Sequence, residues 1–258
     1  MRLPIVSCLC IALSCSLVSA QTTGHRSHPQ QINSGITWAQ QAILALTGGN
    51  PVSSVTESGS VTRTVGGDQQ QGSLTLQSSG VMTNQISLSL TRGTLSEMRT
   101  WQNGHPSGSW TGFNGIRHTM AEHNCWTDAV WFFPALSLLS DYADPNLVFT
   151  DLGQQQYNGG SVEHIQIYRT ATGLDADDLQ LLAQMSTVDY YLDSQTALPV
   201  AFAFATHPDN DLSRDIPVAV LYTNYTGVGG IQVPLQLTEA VNGTVMLQVS
   251  ISSASPNH

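Results

Sequence analysis

The stretch at residues 231–251, IQVPLQLTEAVNGTVMLQVSI, decides the class of the fold. Ile231, Val233, Leu235 and Leu237 alternate with Gln232 and Gln236, and Val245, Leu247, Val249 and Ile251 alternate with Gln248 and Ser250. A period of two puts the apolar side chains on one side of a strand and the polar ones on the other, as an antiparallel sheet with one wet face requires. Asn242-Gly243 between the runs is a hairpin signal, because both residue types tolerate positive φ.

The same pattern recurs upstream. Ile86, Leu88 and Leu90 alternate with Ser87 and Ser89, and further turn signals stand at Gly66-Gly67, Asn103-Gly104, Asn158-Gly159 and Gly229-Gly230. About ten strands fit between Pro51 and the end, enough for a one-sided sheet to curl into a barrel or a sandwich. Val200 to Ala205 reads as a strand with Val200, Phe202 and Phe204 on one face and three alanines on the other. Small side chains on a sheet face leave room for a helix or a ligand.

Helical patterns are few. Ser34 is a candidate cap for a helix whose apolar face holds Ile36, Ala39, Ile43 and Leu46, ended by Gly48-Gly49. Asp177 to Met185 suggests a shorter helix. Asn124 to Tyr142 is different, because Trp126, Val130, Trp131, Phe132, Phe133, Leu136, Leu138 and Leu139 are too dense for one amphipathic face. Read as a helix, it must be buried nearly all round, with a kink or a restart at Pro134. In a β protein its natural place is inside, or across the mouth of, the curved sheet. The expected fold is therefore mainly β: a curved antiparallel sheet or half-open β-barrel of about ten strands, with a buried aromatic helix across its concave face.

The N-terminus sets the expected compartment. Met1-Arg2, the apolar run Leu3 to Leu13 and Val18-Ser19-Ala20 read as a signal peptide cleaved after Ala20. A rival reading is lipoprotein processing at Cys15, for which Ala12-Leu13-Ser14 makes a poor recognition sequence. Residues 21–34, rich in Gln, Ser, Thr and His, read as a flexible leader, and 35–258 as one domain. The protein is expected to be exported, to the periplasm or outside the cell. Trp126 to Leu139 is too short, and too interrupted by Asp128 and Pro134, to anchor in a membrane. Cleavage removes Cys8, Cys10 and Cys15 and leaves Cys125 alone, so no intramolecular disulfide is expected.

Charge narrows the partners. Eight basic residues, all arginine, face eighteen acidic ones, for a net charge of −10. Without a basic patch the chain lacks the electrostatic footprint for nucleic acid or for anionic membrane surfaces.

The order of parts resembles the LolA/LolB-like lipoprotein-carrier superfamily of exported proteins. Tyr222-x-x-Tyr225, Gly229-Gly230-Ile231-x-Val233-Pro234 and Asn242-Gly243 are similar to a hairpin common near the end of these domains. Val188-Asp189-Tyr190-Tyr191-Leu192-Asp193 with Thr196-x-Leu198-Pro199 is similar to the hairpin before it. The resemblance covers residues 35–257, with motif-like detail in about the last seventy. It implies a half-open barrel with helices against its concave side and an apolar cavity for acyl chains. The carriers also have a strand-borne arginine, followed by proline and aromatic residues, that governs lid opening. Arg92 and Arg99 stand here without that context, so lipoprotein trafficking itself is not carried over.

No complete catalytic, phosphate-binding or dinucleotide signature occurs. His118 and His123 flank Glu122 near Cys125, but a spacing of five points them to different helix faces, unlike zinc pairs at i and i+4. A polar loop is the simpler reading. His207 to Asp215 offers oxygens at alternate positions yet lacks the glycine and glutamate of a calcium loop, and reads as a turn between the strands near Phe204 and Val218. Cys125 reads as a small buried hydrophobe rather than an activated thiol. No metal or cofactor is expected.

The reading that remains is a binding protein for an apolar ligand: a lipid, an acyl chain or a lipidated partner. Its expected contacts are Trp126, Val130, Trp131, Phe132, Leu136, Phe202 and Phe204. The alternatives are an envelope interaction protein that uses the same concave face and, less favoured, a hydrolase assembled from His105, His118 and His123.

Overall fold

A computed structural model describes residues 29–257. The expected signal peptide, its cysteines and residues 21–28 of the expected leader lie outside them.

Among the described residues, thirteen strands form one antiparallel sheet. The first six are β1 (Ser54–Val65), β2 (Asp68–Ser79), β3 (Asn84–Leu90), β4 (Gly93–Gln102), β5 (His105–Thr111) and β6 (Arg117–Thr119). The rest are β7 (Leu147–Tyr157), β8 (Gly160–Arg169), β9 (Val188–Asp193), β10 (Pro199–Thr206), β11 (Ile216–Val228), β12 (Ile231–Val241) and β13 (Thr244–Asn257). Two α-helices accompany them, α1 (Pro29–Thr47) and α2 (Ala176–Ser186).

The strand order is β6-β5-β4-β3-β2-β1-β13-β12-β11-β10-β9-β8-β7. Neighbours in the sheet are thus neighbours in sequence, except at the seam where β1 pairs with β13. Val61 faces Val249 there, and Arg63 faces Leu247. A bulge at Ser58/Gly59 brings the β13 backbone so close that a Cβ on Gly59 would stand 2.0 Å from the Ser250 carbonyl. The sheet is curved and open, its two edges formed by β6 and β7. Asn-Gly and Gly-Gly pairs close four of the hairpins with both residues at positive φ, for example Asn103 at 54° and Gly104 at 80°.

Three expectations need correction. The strand count is thirteen rather than about ten, because polar stretches such as HPSGSWT in β5 and RHT in β6 are held by pairing with a neighbour rather than by alternation of their own. The first helix begins at Pro29 and contains Ser34, which therefore is not its cap. It docks through Gly35, where a Cβ would stand 2.7 Å from the Phe149 carbonyl of β7, and through the fully buried Ala39, Ala42 and Leu46. In β10 a register shift between Pro199 and Ala201 moves Val200 off the face shared by Phe202 and Phe204.

The shorter helix α2 stands where the sequence pattern puts it, capped by Asp175, whose side chain accepts from the Asp177 and Asp178 amides at 3.0 and 2.9 Å. Among the described residues no helix is long and apolar enough to cross a membrane.

Candidate functional site

Because the chain ends its first run of strands at one sheet edge and starts its second at the other, the segment between β6 and β7 has to travel across the concave side. That segment contains Trp126 to Leu139. It is buried as its composition demands, with Val130, Phe132, Phe133, Leu138 and Leu139 all at 0% exposure. It is not the expected α-helix. Short 3-10 turns at Glu122–Cys125, Pro134–Leu136 and Leu138–Asp141 are joined by irregular chain.

The physical reason lies in where its backbone bonds go. Asp128, at 0% exposure, accepts from the Val130 amide at 2.9 Å, from the Leu138 amide at 3.0 Å and from the Tyr190 hydroxyl. Asn84 of β3 donates to the Ala129 carbonyl at 2.7 Å, and Tyr222 of β11 donates to the Trp131 carbonyl. Arg99 of β4 donates to Thr127 Oγ1 at 3.2 Å. Side chains from both halves of the sheet thus replace the i→i−4 bonds of a helix, and Pro134 has no amide to contribute to one. The segment is a strap pinned from both sides.

The motif Tyr222-x-x-Tyr225 is explained here. Three residues apart on a strand, two side chains ordinarily face opposite ways. Asn224 takes φ 59° and resets the alternation, so Tyr225 also packs against the core and donates to the Pro199 carbonyl at 2.7 Å.

Beside the strap the concave side is not filled. A cavity of about 420 Å³ remains between β1, β3, β4 and β5 on one side and β10 to β13 on the other. Ile86, Leu88 and Leu95 form one apolar wall, and Phe204, Val218, Val220 and Leu247 the other. Trp131, 8% exposed, contributes from the strap. The volume falls at the lower end of the range of small-molecule sites, about 300–1,000 Å³.

Four charged side chains also line it: Arg63, Glu97, Arg99 and Glu239. Arg99 Nε donates to Glu97 Oε1 at 2.9 Å. Burial pushes the Glu239 carboxyl up to about 7, reinforced by the charge of Glu97 and opposed by Arg99 and Arg63.

Of the contacts expected from sequence, Trp131 and Phe204 line the cavity. Val130, Phe132, Leu136 and Phe202 are core residues at 0 to 3% exposure. Trp126 packs edge-to-face on Trp101, 5.6 Å between centroids. The alanine face of β10 does not provide the room; the cavity lies on the phenylalanine face. Sequence reasoning missed Arg63, Leu88, Leu95, Val220 and Glu239. Alternation marks Leu88 as inward-facing, but only the seam between β1 and β13 sets Arg63 beside Leu247 and Glu239.

The histidines do not converge. His105 lies 3.6 Å from Glu122 on the surface, His118 stacks on Trp110 at 4.2 Å, and His123 meets His207 edge-on at 6.0 Å. His207 also pairs with Asp215 at 3.0 Å across the loop that joins β10 to β11. Among the described residues no group of three or more His, Cys, Asp and Glu side chains is placed to hold a metal ion. Cys125 is buried, and burial is the main cause that raises its thiol above the ordinary value, the opposite of activation.

No known protein family matches the sequence, and no curated protein does either. Solved structures do match its fold. A domain from Vibrio parahaemolyticus named for outer membrane lipoprotein sorting aligns with a TM-score of 0.56 at 11% identity, covering 88% of this chain and 93% of its own. A DUF1329 family protein from Desulfovibrio piger aligns at 0.55 and 9% identity, with the same coverage of 88% and 93%. A LolA superfamily protein from Nitrosomonas europaea aligns at 0.49 and 9% identity over 86% and 93%. At these identities the likeness is one of fold, and at that level the resemblance expected from the sequence is borne out.

Proposed function

We propose that the protein is an exported, non-catalytic carrier or sensor that holds an apolar ligand, such as a lipid, an acyl chain or a lipidated partner, in the cavity on the concave side of its sheet. The observation that carries this reading is the cavity itself: apolar walls from both halves of the sheet, with Trp131 of the strap against it. A core that needed only stability would close such a space, because unfilled volume forfeits dispersion contacts. The shared fold with a domain named for lipoprotein sorting agrees with it. In this reading Trp131 and Phe204 touch the ligand, while Trp126, Val130, Phe132, Leu136 and Phe202 hold the strap and wall in place. Residues 1–20 direct export, and 21–28 join the signal to the domain, which starts with α1.

Burying about ten methylenes is worth about 8 kcal/mol, which corresponds to about micromolar affinity. The test is a titration of purified mature protein with acyl ligands, read by tryptophan fluorescence, together with identification of any co-purifying lipid. A saturable change, with weaker binding in Phe204→Ser, is expected. A well-folded protein with no saturable response to any acyl ligand would remove this reading and leave a protein-interaction role for the concave face.

A further inference from the structure

The four charges in the cavity are not equivalent. Arg99 is committed: it donates to Glu97 and to Thr127, and its backbone amide donates to Asn84 Oδ1 at 2.8 Å. Glu97 in turn accepts from Asn84 Nδ2 at 3.3 Å. This pair belongs to the clamp on the strap. The Arg63 side chain makes no hydrogen bond and no ion pair within 4.0 Å to any described residue, although it is partly buried and lines a cavity with apolar walls. Its charge acts on the Glu239 carboxyl across the cavity. Arg92, by contrast, pairs with Asp68 at 3.8 Å and lies over the Phe113 ring.

Placement adds to this. Arg63 stands two residues before the end of β1, and its cross-strand neighbour is Leu247 of β13, which faces Glu239 of β12. Glu239 pairs with Val220 of β11, and Val220 with Phe202 of β10. A guanidinium thus sits near the hairpin end of the sheet, and an apolar row runs inward from it.

We propose that the cavity takes a single-chain amphiphile with an anionic head, a carboxylate or a phosphate, seated on Arg63 with its tail along Leu247, Leu88 and Val220 toward Trp131. The inference rests on the ligand-binding reading and adds the class and direction of the ligand. A planar guanidinium whose donors are open to solvent and take no protein partner matches either head. Glu239 sets the sensitivity to pH. The charged groups that face it are Arg63 from β1 and Glu97 and Arg99 from β4, while β10, β11, β13 and the strap present Phe204, Val220, Leu247 and Trp131. Ionised, Glu239 competes with the head for Arg63. Neutral, it leaves Arg63 to the ligand, so binding tightens as pH falls through about 7.

The test compares laurate, dodecyl phosphate and dodecanol, which share one tail, on wild type, Arg63→Gln, Glu239→Gln and the surface control Arg92→Gln. Wild type should bind the anions more tightly than the alcohol. Arg63→Gln should lose at least about tenfold for the anions and less than about twofold for dodecanol, the size expected for one charge-assisted contact. Arg92→Gln, which removes the same charge from the surface, should change neither. Glu239→Gln should flatten the pH dependence. The better of laurate and dodecyl phosphate tells carboxylate from phosphate. Equal binding of acid and alcohol by wild type overturns the anionic head yet leaves the carrier reading standing, whereas no binding of any of the three defeats that reading. The wild-type contrast decides the question even if Arg63→Gln folds poorly, and Arg63→Lys, which keeps the charge, should retain most of the anion preference.

Discussion

The knot at Asp128 allows a quantitative test of how the strap is held. Three donors converge on one buried carboxylate: the Val130 amide on Oδ1, and the Leu138 amide and the Tyr190 hydroxyl on Oδ2. Asp128→Ala removes all three acceptor bonds at a site with 0% exposure. Each orphaned buried donor costs about 1–3 kcal/mol, so the variant should lose at least about 3 kcal/mol, a large share of the roughly 5–15 kcal/mol of a typical domain. Tyr190→Phe removes one donor and leaves Oδ2 with Leu138, and should cost about 1–2 kcal/mol. Asp128→Asn keeps a carbonyl for Val130 but turns an amide donor toward the Leu138 N–H, and should fall between the two. The assay is urea unfolding followed by both far-ultraviolet circular dichroism and tryptophan fluorescence, which reports on Trp126 and Trp131 within the strap. Burial raises the Asp128 carboxyl despite these bonds. The folded protein therefore holds this proton more tightly than the unfolded chain does, and stability falls as pH rises from the usual carboxylate range to the raised value. Asp128→Asn should lack that component. If Asp128→Ala cost less than about 1 kcal/mol, the view that this carboxylate pins the strap would be refuted.

Three further outcomes are expected. The Glu239 carboxyl rises from its usual 4.5 to about 7, a change linked to about 3 kcal/mol; wild type should lose about that much stability relative to Glu239→Gln between pH 4.5 and 7, measured by unfolding at a series of pH values, and little more above. Gly35→Ala would place a methyl 2.7 Å from the Phe149 carbonyl and should destabilise the docking of α1 by about 1–3 kcal/mol, seen as a lower melting temperature, whereas Gly67→Ala, with nothing within 4 Å, should be nearly neutral. Mass spectrometry of the secreted protein should find a chain that starts at Gln21 without lipid; a diacylated Cys15 would make the protein membrane-tethered.

Local pattern was sufficient for much of this molecule. Alternation in β3, β12 and β13 marks inward faces because a strand side chain has only two directions to take, except at Val245, which a bulge opposite Glu239/Ala240 turns outward to 42% exposure; the Asn-Gly pairs mark hairpins because few residues accept positive φ. The density of apolar residues from Trp126 to Leu139 required burial for the same elementary reason: nothing else keeps so much apolar surface from water. Its conformation was another matter. An all-round apolar segment looks alike to any local rule whether it is helical or irregular, and the choice was made by residues far off in sequence: Asn84 and Tyr222, which take over backbone carbonyls, and Arg99 and Tyr190, which hold the Thr127 and Asp128 side chains. The cavity was equally out of reach. Arg63 and Leu247 meet only because β1 pairs with β13, among the described residues the one pairing between strands that are not consecutive. That pairing is settled by the curvature of the whole sheet and the burial of its concave face, which are sums over every strand and are written in no single one.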